Sequence, residues 1–138
     1  MASLIYNSAV DDMARGAIDF DTDTFKVMLV TSTYAPNKDT DLKRSAVTNE
    51  VTGTGYTAGG VTTACTVTKS TANDRVTLSF AAVNWASSTI TARAAVIYKS
   101  RGGLASTDEL VCYVDFGADV SSSSATFSLG SSVITLQN

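Results

Sequence analysis

Apolar and hydroxyl-bearing residues alternate over much of this chain, as in Val61-Thr62-Thr63-Ala64-Cys65-Thr66-Val67-Thr68 and Val76-Thr77-Leu78-Ser79-Phe80. A period of two places successive side chains on opposite faces of a strand. The pattern predicts a first strand over 24–31, apolar on both faces at its centre and so covered on both sides. It predicts a hairpin in which strand 61–70 meets strand 75–81 across the turn 71–74. There Val76, Leu78 and Phe80 share one face, and Arg75, Thr77 and Ser79 the other. A long strand follows over 89–99, with Ile90, Ala92, Ala94, Val96 and Tyr98 on one face and Thr91, Arg93, Ala95, Ile97 and Lys99 on the other. Strand 109–116 points Leu110, Cys112, Val114 and Phe116 inward, a Ser-rich turn at 121–124 leads into strand 125–129, and 132–137 closes the chain.

Helical spacing is confined to the beginning. Asn7 or Ser8 is placed to cap a helix running to about Arg15, with Gly16 as its stop. Ala9, Val10, Met13 and Ala17 form its apolar face. Residues 1–6 read as an N-terminal arm, with Leu4-Ile5-Tyr6 as its apolar part. Asp39 or Thr40 is placed to cap one further turn through Arg44, while 34–39, 47–60 and 100–108 read as loops. Seven or eight strands bounded by turn chemistry, with little helix after residue 46, are the pattern of a β-sandwich or barrel. A length of 138 residues suits one domain, 1–138.

Composition narrows the chemistry. The chain has no His, which removes the side chain most used for proton transfer and metal binding. Ser-His-Asp and Cys-His arrangements are therefore excluded within one chain. Charged residues make up 17% and the net charge is −3, with no basic run interleaved with aromatics, so a nucleic-acid-binding face is not expected. The start has no basic region followed by a long apolar stretch, so no export signal or membrane span is expected and synthesis is assigned to a cytoplasm. Cys65 and Cys112 read as buried free thiols, with a cross-strand disulfide as the alternative.

Asp19, Asp21 and Asp23 alternate as calcium ligands do, but Thr24 and Val30 stand where an EF-hand needs Gly and Glu, so a solvated turn is expected. Gly53, Gly55, Gly59 and Gly60 lack the following helix and Lys of a phosphate loop. Asp108, Glu109, Asp115 and Asp119 are candidates for a carboxylate pair of the glycosidase kind; nothing in their spacing brings two together, and Asp115 alternates outward. Trp85, Tyr56 and Tyr98 are candidate platforms for stacking a sugar, or core aromatics. No enzymatic activity, cofactor or metal is expected.

Four blocks in order carry a resemblance: Ile18-Asp19-Phe20-Asp21-Thr22-Asp23-Thr24-Phe25-Lys26-Val27-Met28-Leu29, Val47-Thr48-Asn49-Glu50-Val51-Thr52-Gly53-Thr54-Gly55-Tyr56, Ile90-Thr91-Ala92-Arg93-Ala94-Ala95-Val96-Ile97-Tyr98-Lys99 and Tyr113-Val114-Asp115-Phe116-Gly117. Together they resemble small virion proteins of tailed bacteriophages, of the head decoration or cement type. The resemblance implies a jelly-roll-like antiparallel β-sandwich and a homo-oligomer, dimer or trimer. It implies a place on the capsid exterior, bound to the major capsid protein, with no nucleic-acid or membrane partner. It carries no catalytic motif, so no site residue is transferred. A tail, head-fibre or head-completion component is the alternative within the virion, and a carbohydrate-binding sandwich the alternative outside it. On the first reading, the N-terminal arm or the last strand docks onto a neighbour.

Overall fold

The computed structural model describes residues 2–138. They form two antiparallel sheets and one short helix, the all-β sandwich that the alternation predicts. The strands are β1 (Leu4–Ile5), β2 (Phe25–Val30), β3 (Val61–Thr63), β4 (Cys65–Ser70), β5 (Arg75–Phe80), β6 (Val83–Lys99), β7 (Leu110–Leu129) and β8 (Ser132–Gln137). The larger sheet runs β1-β7-β6-β2-β3 and the smaller β4-β5-β8. Among the described residues, no helix is long and apolar enough to cross a membrane.

The predicted run 61–70 changes sheets at Ala64. Val61–Thr63 pairs with β2, and Cys65–Ser70 pairs with β5 in the register Cys65↔Phe80. One continuous stretch thus crosses between the layers and closes that side of the sandwich, as strands do at sandwich corners. Gly60 leads into this crossing at φ +76°, where a Cβ would land on the Val27 carbonyl.

β6 and β7 are longer than predicted. Ser121–Ser124 does not turn the chain: Thr91 pairs with Ser121 and Ile90 with Ser122 inside the β6–β7 ladder. Hydroxyls replace the expected reversal, with Thr91 Oγ1 2.7 Å from Ser121 Oγ and the buried Ser88 Oγ 2.7 Å from Ser122 Oγ. The irregularity is absorbed in the strands, where Ser87 and Ser124 take φ of 50° and 46°.

Pairing also slips between Ala92 and Ala94, and this splits the predicted face of β6. Ile90 and Ala92 pack between the sheets, whereas Ala94, Val96 and Tyr98 pack in a second core. Ala95 and Ile97, expected on the face opposite Ile90 and Ala92, are buried with them between the sheets. A second slip beside Tyr98 puts Leu110 in the outer core and Val111 and Cys112 in the inner one.

The inner core joins Phe25, Leu29, Phe80, Trp85 and Ile97, with Phe25 stacked on Phe20 at 5.4 Å and edge-on to Phe80 at 5.5 Å. The outer core holds Tyr6, Met28, Val30, Tyr34, Val96 and Tyr113. β2 is covered on both sides, as its two-faced apolar pattern requires.

The N-terminal arm is docked on its own chain. Leu4 and Ile5 pair with Tyr113 and Cys112, and Tyr6 is fully buried, its hydroxyl 2.9 Å from that of Tyr34, which donates to Asp41. Met1 of that arm lies outside the described residues. The helix α1 (Asn7–Ala14) ends as expected at Gly16, φ +77°. Its N-cap position is Tyr6 rather than Asn7 or Ser8, and no side chain caps it; the Asn7 side-chain NH2 donates to Asp39 Oδ1 instead. Val10 is 53% exposed, since only the Ala9 side of so short a helix is buried. The turn expected through Arg44 is also shifted. Asn37 Oδ1 accepts from the amides of Asp39 and Thr40, and a 3₁₀ turn follows at Arg44–Ala46.

Val96 is fully buried in the outer core. Val96→Asp is expected to cost about 3–5 kcal/mol by burying an unpaired charge. Denaturant unfolding checks this, and an unchanged midpoint would contradict the assigned face.

Candidate interaction surface

The loop that joins β6 to β7 is held by buried charge. Asp108 and Glu109 are only 1% and 3% exposed. Two carboxylates removed from water need partners to offset their desolvation. Arg44 Nε meets Asp108 Oδ2 at 2.8 Å, and the Arg101 amide donates to Asp108 Oδ1 at 2.8 Å. Arg101 Nε donates to both Glu109 oxygens at 3.0 Å, and Lys43 Nζ lies 3.4 Å from Glu109. The Arg44 guanidinium also sits 5.0 Å over the Tyr98 ring, a cation–π contact. Backbone bonds add to the clamp, from Arg44 N to Asp108 O and from Lys99 N to Glu109 O. Burial alone would raise the Glu109 carboxyl, but the Arg101 hydrogen bonds and the charges of Lys43 and Arg101 outweigh it and hold it below the usual range.

This clamp closes the base of a loop with an apolar tip. Leu104, on that loop, is the most exposed large apolar side chain of the described residues at 73%, and Leu42 beside the Lys43–Glu109 bridge is 52% exposed. The Leu104 carbonyl accepts from the Thr107 hydroxyl at 2.7 Å, which ties the tip's backbone to the 3₁₀ turn after it. Asp108 and Glu109 thus serve as loop ties and not as a carboxylate pair open to a cleft. The sequence does contain a signal for this, since two adjacent acids open a strand that continues Leu110-Val111-Cys112.

The candidate aromatics are structural. Trp85 is buried, stacked on Tyr56 at 6.1 Å and edge-on to Phe127 at 5.9 Å. Tyr98 is 1% exposed and donates to Gly59 O at 2.6 Å; burial pushes its hydroxyl up to about 12. Tyr56 donates to Glu50 Oε1 at 2.7 Å and accepts from the Leu29 amide at 3.0 Å. Glu50 Oε1 also accepts from the Gly59 amide. These phenols and Glu50 pin the glycine-rich loop to the sheet; the Trp85 and Tyr98 rings are buried, and the half-buried Tyr56 has one face against Trp85.

The acidic turn is tied inward. Asp19 Oδ1 accepts from the Asp21 amide, Asp23 Oδ2 accepts from the Asp19 amide, and Lys99 Nζ lies 2.8 Å from Asp23. Among the described residues, no three Asp, Glu or Cys side chains gather where they would hold a metal ion. Asp115 and Asp119 both approach Arg93, at 3.2 and 4.0 Å. Cys65 and Cys112 lie on different sheets as free thiols, and burial pushes them up to about 11 and about 12.

The side of the sandwich opposite the β3–β4 crossing is open. Here β1 and β8 are both edge strands. They flank an apolar groove between Ile5, Cys112 and Val114 on the large sheet and Val133 and Ile134 on β8. Next to it, Val10, Leu136 and Val111 line a wholly apolar cleft against α1. Ile5, Val10, Val133 and Leu136 are 40%, 53%, 56% and 38% exposed, so this side carries the second apolar surface.

Glu109 and Asp23 are both held below their unfolded values; for Asp23 the desolvation cost is outweighed by Lys99 and the Asp19 amide. Their contribution to stability is complete above the ordinary carboxylate range, about pH 4. It is lost as pH falls through the folded-state values. Asp12, raised by burial, acts in the opposite sense. Glu109→Gln is therefore expected to lower the melting temperature most near neutrality, with the gap to wild type closing in acid; a gap independent of pH would contradict the clamp. Compared with known proteins, the chain matches no family model, no curated protein and no solved structure.

Proposed function

We propose that the protein is a head decoration protein of a tailed bacteriophage, which binds the exterior of the assembled shell and stabilises it through contacts with the major capsid protein. The observation that carries this reading is the clamped β6–β7 loop with Leu104 exposed at its tip. Presentation of an apolar side chain on a closed loop suits a partner surface and has no use in the core of the chain itself. The resemblance blocks supply the kind of partner. They fall on β2, the loop before β3, β6 and the inner part of β7, the elements that form both cores; the clamp's ion pairs and Leu104 lie between the blocks.

A cement protein needs modest affinity at each site. Binding to the assembled shell and not to its separated subunits stabilises the assembly by mass action. Contacts repeated over many equivalent positions multiply that effect. On this reading the ion pairs at Asp108 and Glu109 are positioning groups, and Leu104 and Leu42 are contact groups.

Cosedimentation with undecorated phage shells tests the proposal. Wild-type protein at micromolar concentration is expected to pellet with shells. Leu104→Asp is expected to weaken pelleting at least tenfold without changing the melting temperature, because the side chain is in solvent. Protein that stays in the supernatant would refute the cement reading, and pelleting unaffected by Leu104→Asp would refute the loop as the contact.

A further inference from the structure

We infer that β8 is a dimerisation edge, on which a second copy of this chain pairs its own β8 antiparallel about a two-fold axis through Thr135. The inference rests on the strand edge and not on the shell reading. The Asn138 amide donates to the Asp74 carbonyl at 3.0 Å, continuing the β5–β8 ladder. Antiparallel pairing alternates, so Ser132, Ile134 and Leu136 direct their backbone groups at β5. The N–H and C=O groups of Val133, Thr135 and Gln137 therefore point to the open edge, since β8 is the outer strand of its sheet among the described residues.

Proteins that keep such an edge single place Lys, Glu, Pro or a bulge on it. Here the stretch 120–138 contains no Asp, Glu, Lys, Arg or Pro. The β5–β8 register is unbroken from Arg75↔Gln137 to Phe80↔Ser132, so no bulge interrupts it. In an isologous pair about Thr135, Thr135 meets its equivalent and every other residue meets the one equally far across the axis, and with no charge on β8 no such pair is opposed. The strand therefore matches its own sequence, with Ile134 against Leu136 on the inner face, and this commits the edge to a second copy.

The register follows from the free groups. An axis through Thr135 places Thr135 opposite its equivalent and Val133 opposite Gln137 of the second copy. All three outward pairs are then used, for about six hydrogen bonds. The same register sets Ile134 against Leu136 of the second copy on the inner face. Strand side chains alternate, so those two residues of the added strand point toward the groove beside Ile5 and Val114. The smaller sheet has three strands against five, and the added strand lies over the part of the larger sheet that β8 leaves uncovered.

Sedimentation velocity of the purified protein, with no shells present, tests this. The expected mass is twice the 14.4 kDa chain. Thr135 is exposed and outward, so Thr135→Lys is expected to halve the mass and leave the melting temperature unchanged. Thr135→Cys is expected to give a covalent dimer on mild oxidation, while Thr77→Cys, on the central strand of the same sheet, is not. This arm decides the matter if the Lys variant does not fold. A single-chain mass at all concentrations overturns the inference and leaves the edge for another protein's strand. A mass of three chains, or a dimer that survives Thr135→Lys, overturns it as well.

Discussion

Residues 94–98 of β6 and 110–113 of β7 form a ribbon buried on both faces, and most of the fold follows from that requirement. A sheet apolar on both sides needs two covers. The smaller sheet supplies one, with Leu78, Phe80 and Ile134 against Ile97 and Cys112. The other is irregular, made by Tyr6 and by the segment carrying Tyr34 and Val47. The N-terminal residues are therefore held on their own chain and not free as an arm. The slip between Ala92 and Ala94 lets one strand serve both cores, since a shift of one residue moves every following side chain to the opposite face.

The same ribbon explains the clamp. Its hairpin end lies against the outer cover, so the residues just before β7, Asp108 and Glu109, enter the interior while carrying charge. Removing one partner from a buried ion pair is far more costly than the net contribution of the intact pair. Asp108 and Glu109 are therefore best understood as fixing the geometry of the loop, with Arg44, Arg101 and Lys43 drawn from both sides of it. On the proposed function, that closed loop base is what presents Leu104 as a contact.

Much of the architecture was legible from period-two patterning. β2, the β4–β5 hairpin, the inward set Val76, Leu78 and Phe80, and the stop at Gly16 all follow from local chemistry that tertiary packing did not override. The failures share a cause. Alternation reports that two residues lie on opposite faces, but not where pairing slips or which sheet a strand joins. Hence the sheet change at Ala64 and the split face of β6 were hidden. The composition of Ser121–Ser124 predicts a turn, whereas ladder hydroxyls from Thr91 and Ser88 keep it extended. Asp108 and Glu109 carried no sign of their partners, which lie up to 66 residues away at Lys43. The open β8 edge was partly visible, because its neutrality is a property of the sequence alone.

The functional account joins a resemblance in four sequence blocks to a closed loop with an apolar tip. On this account the protein acts by contact alone, and its orientation on a shell is determined by which surface carries that tip. A cryo-electron microscopy map of phage shells saturated with the protein tests that most directly. The account predicts density on the exterior with the 100–109 loop turned toward the capsid lattice. Bare shells, or bound protein with that loop facing solvent, would contradict it.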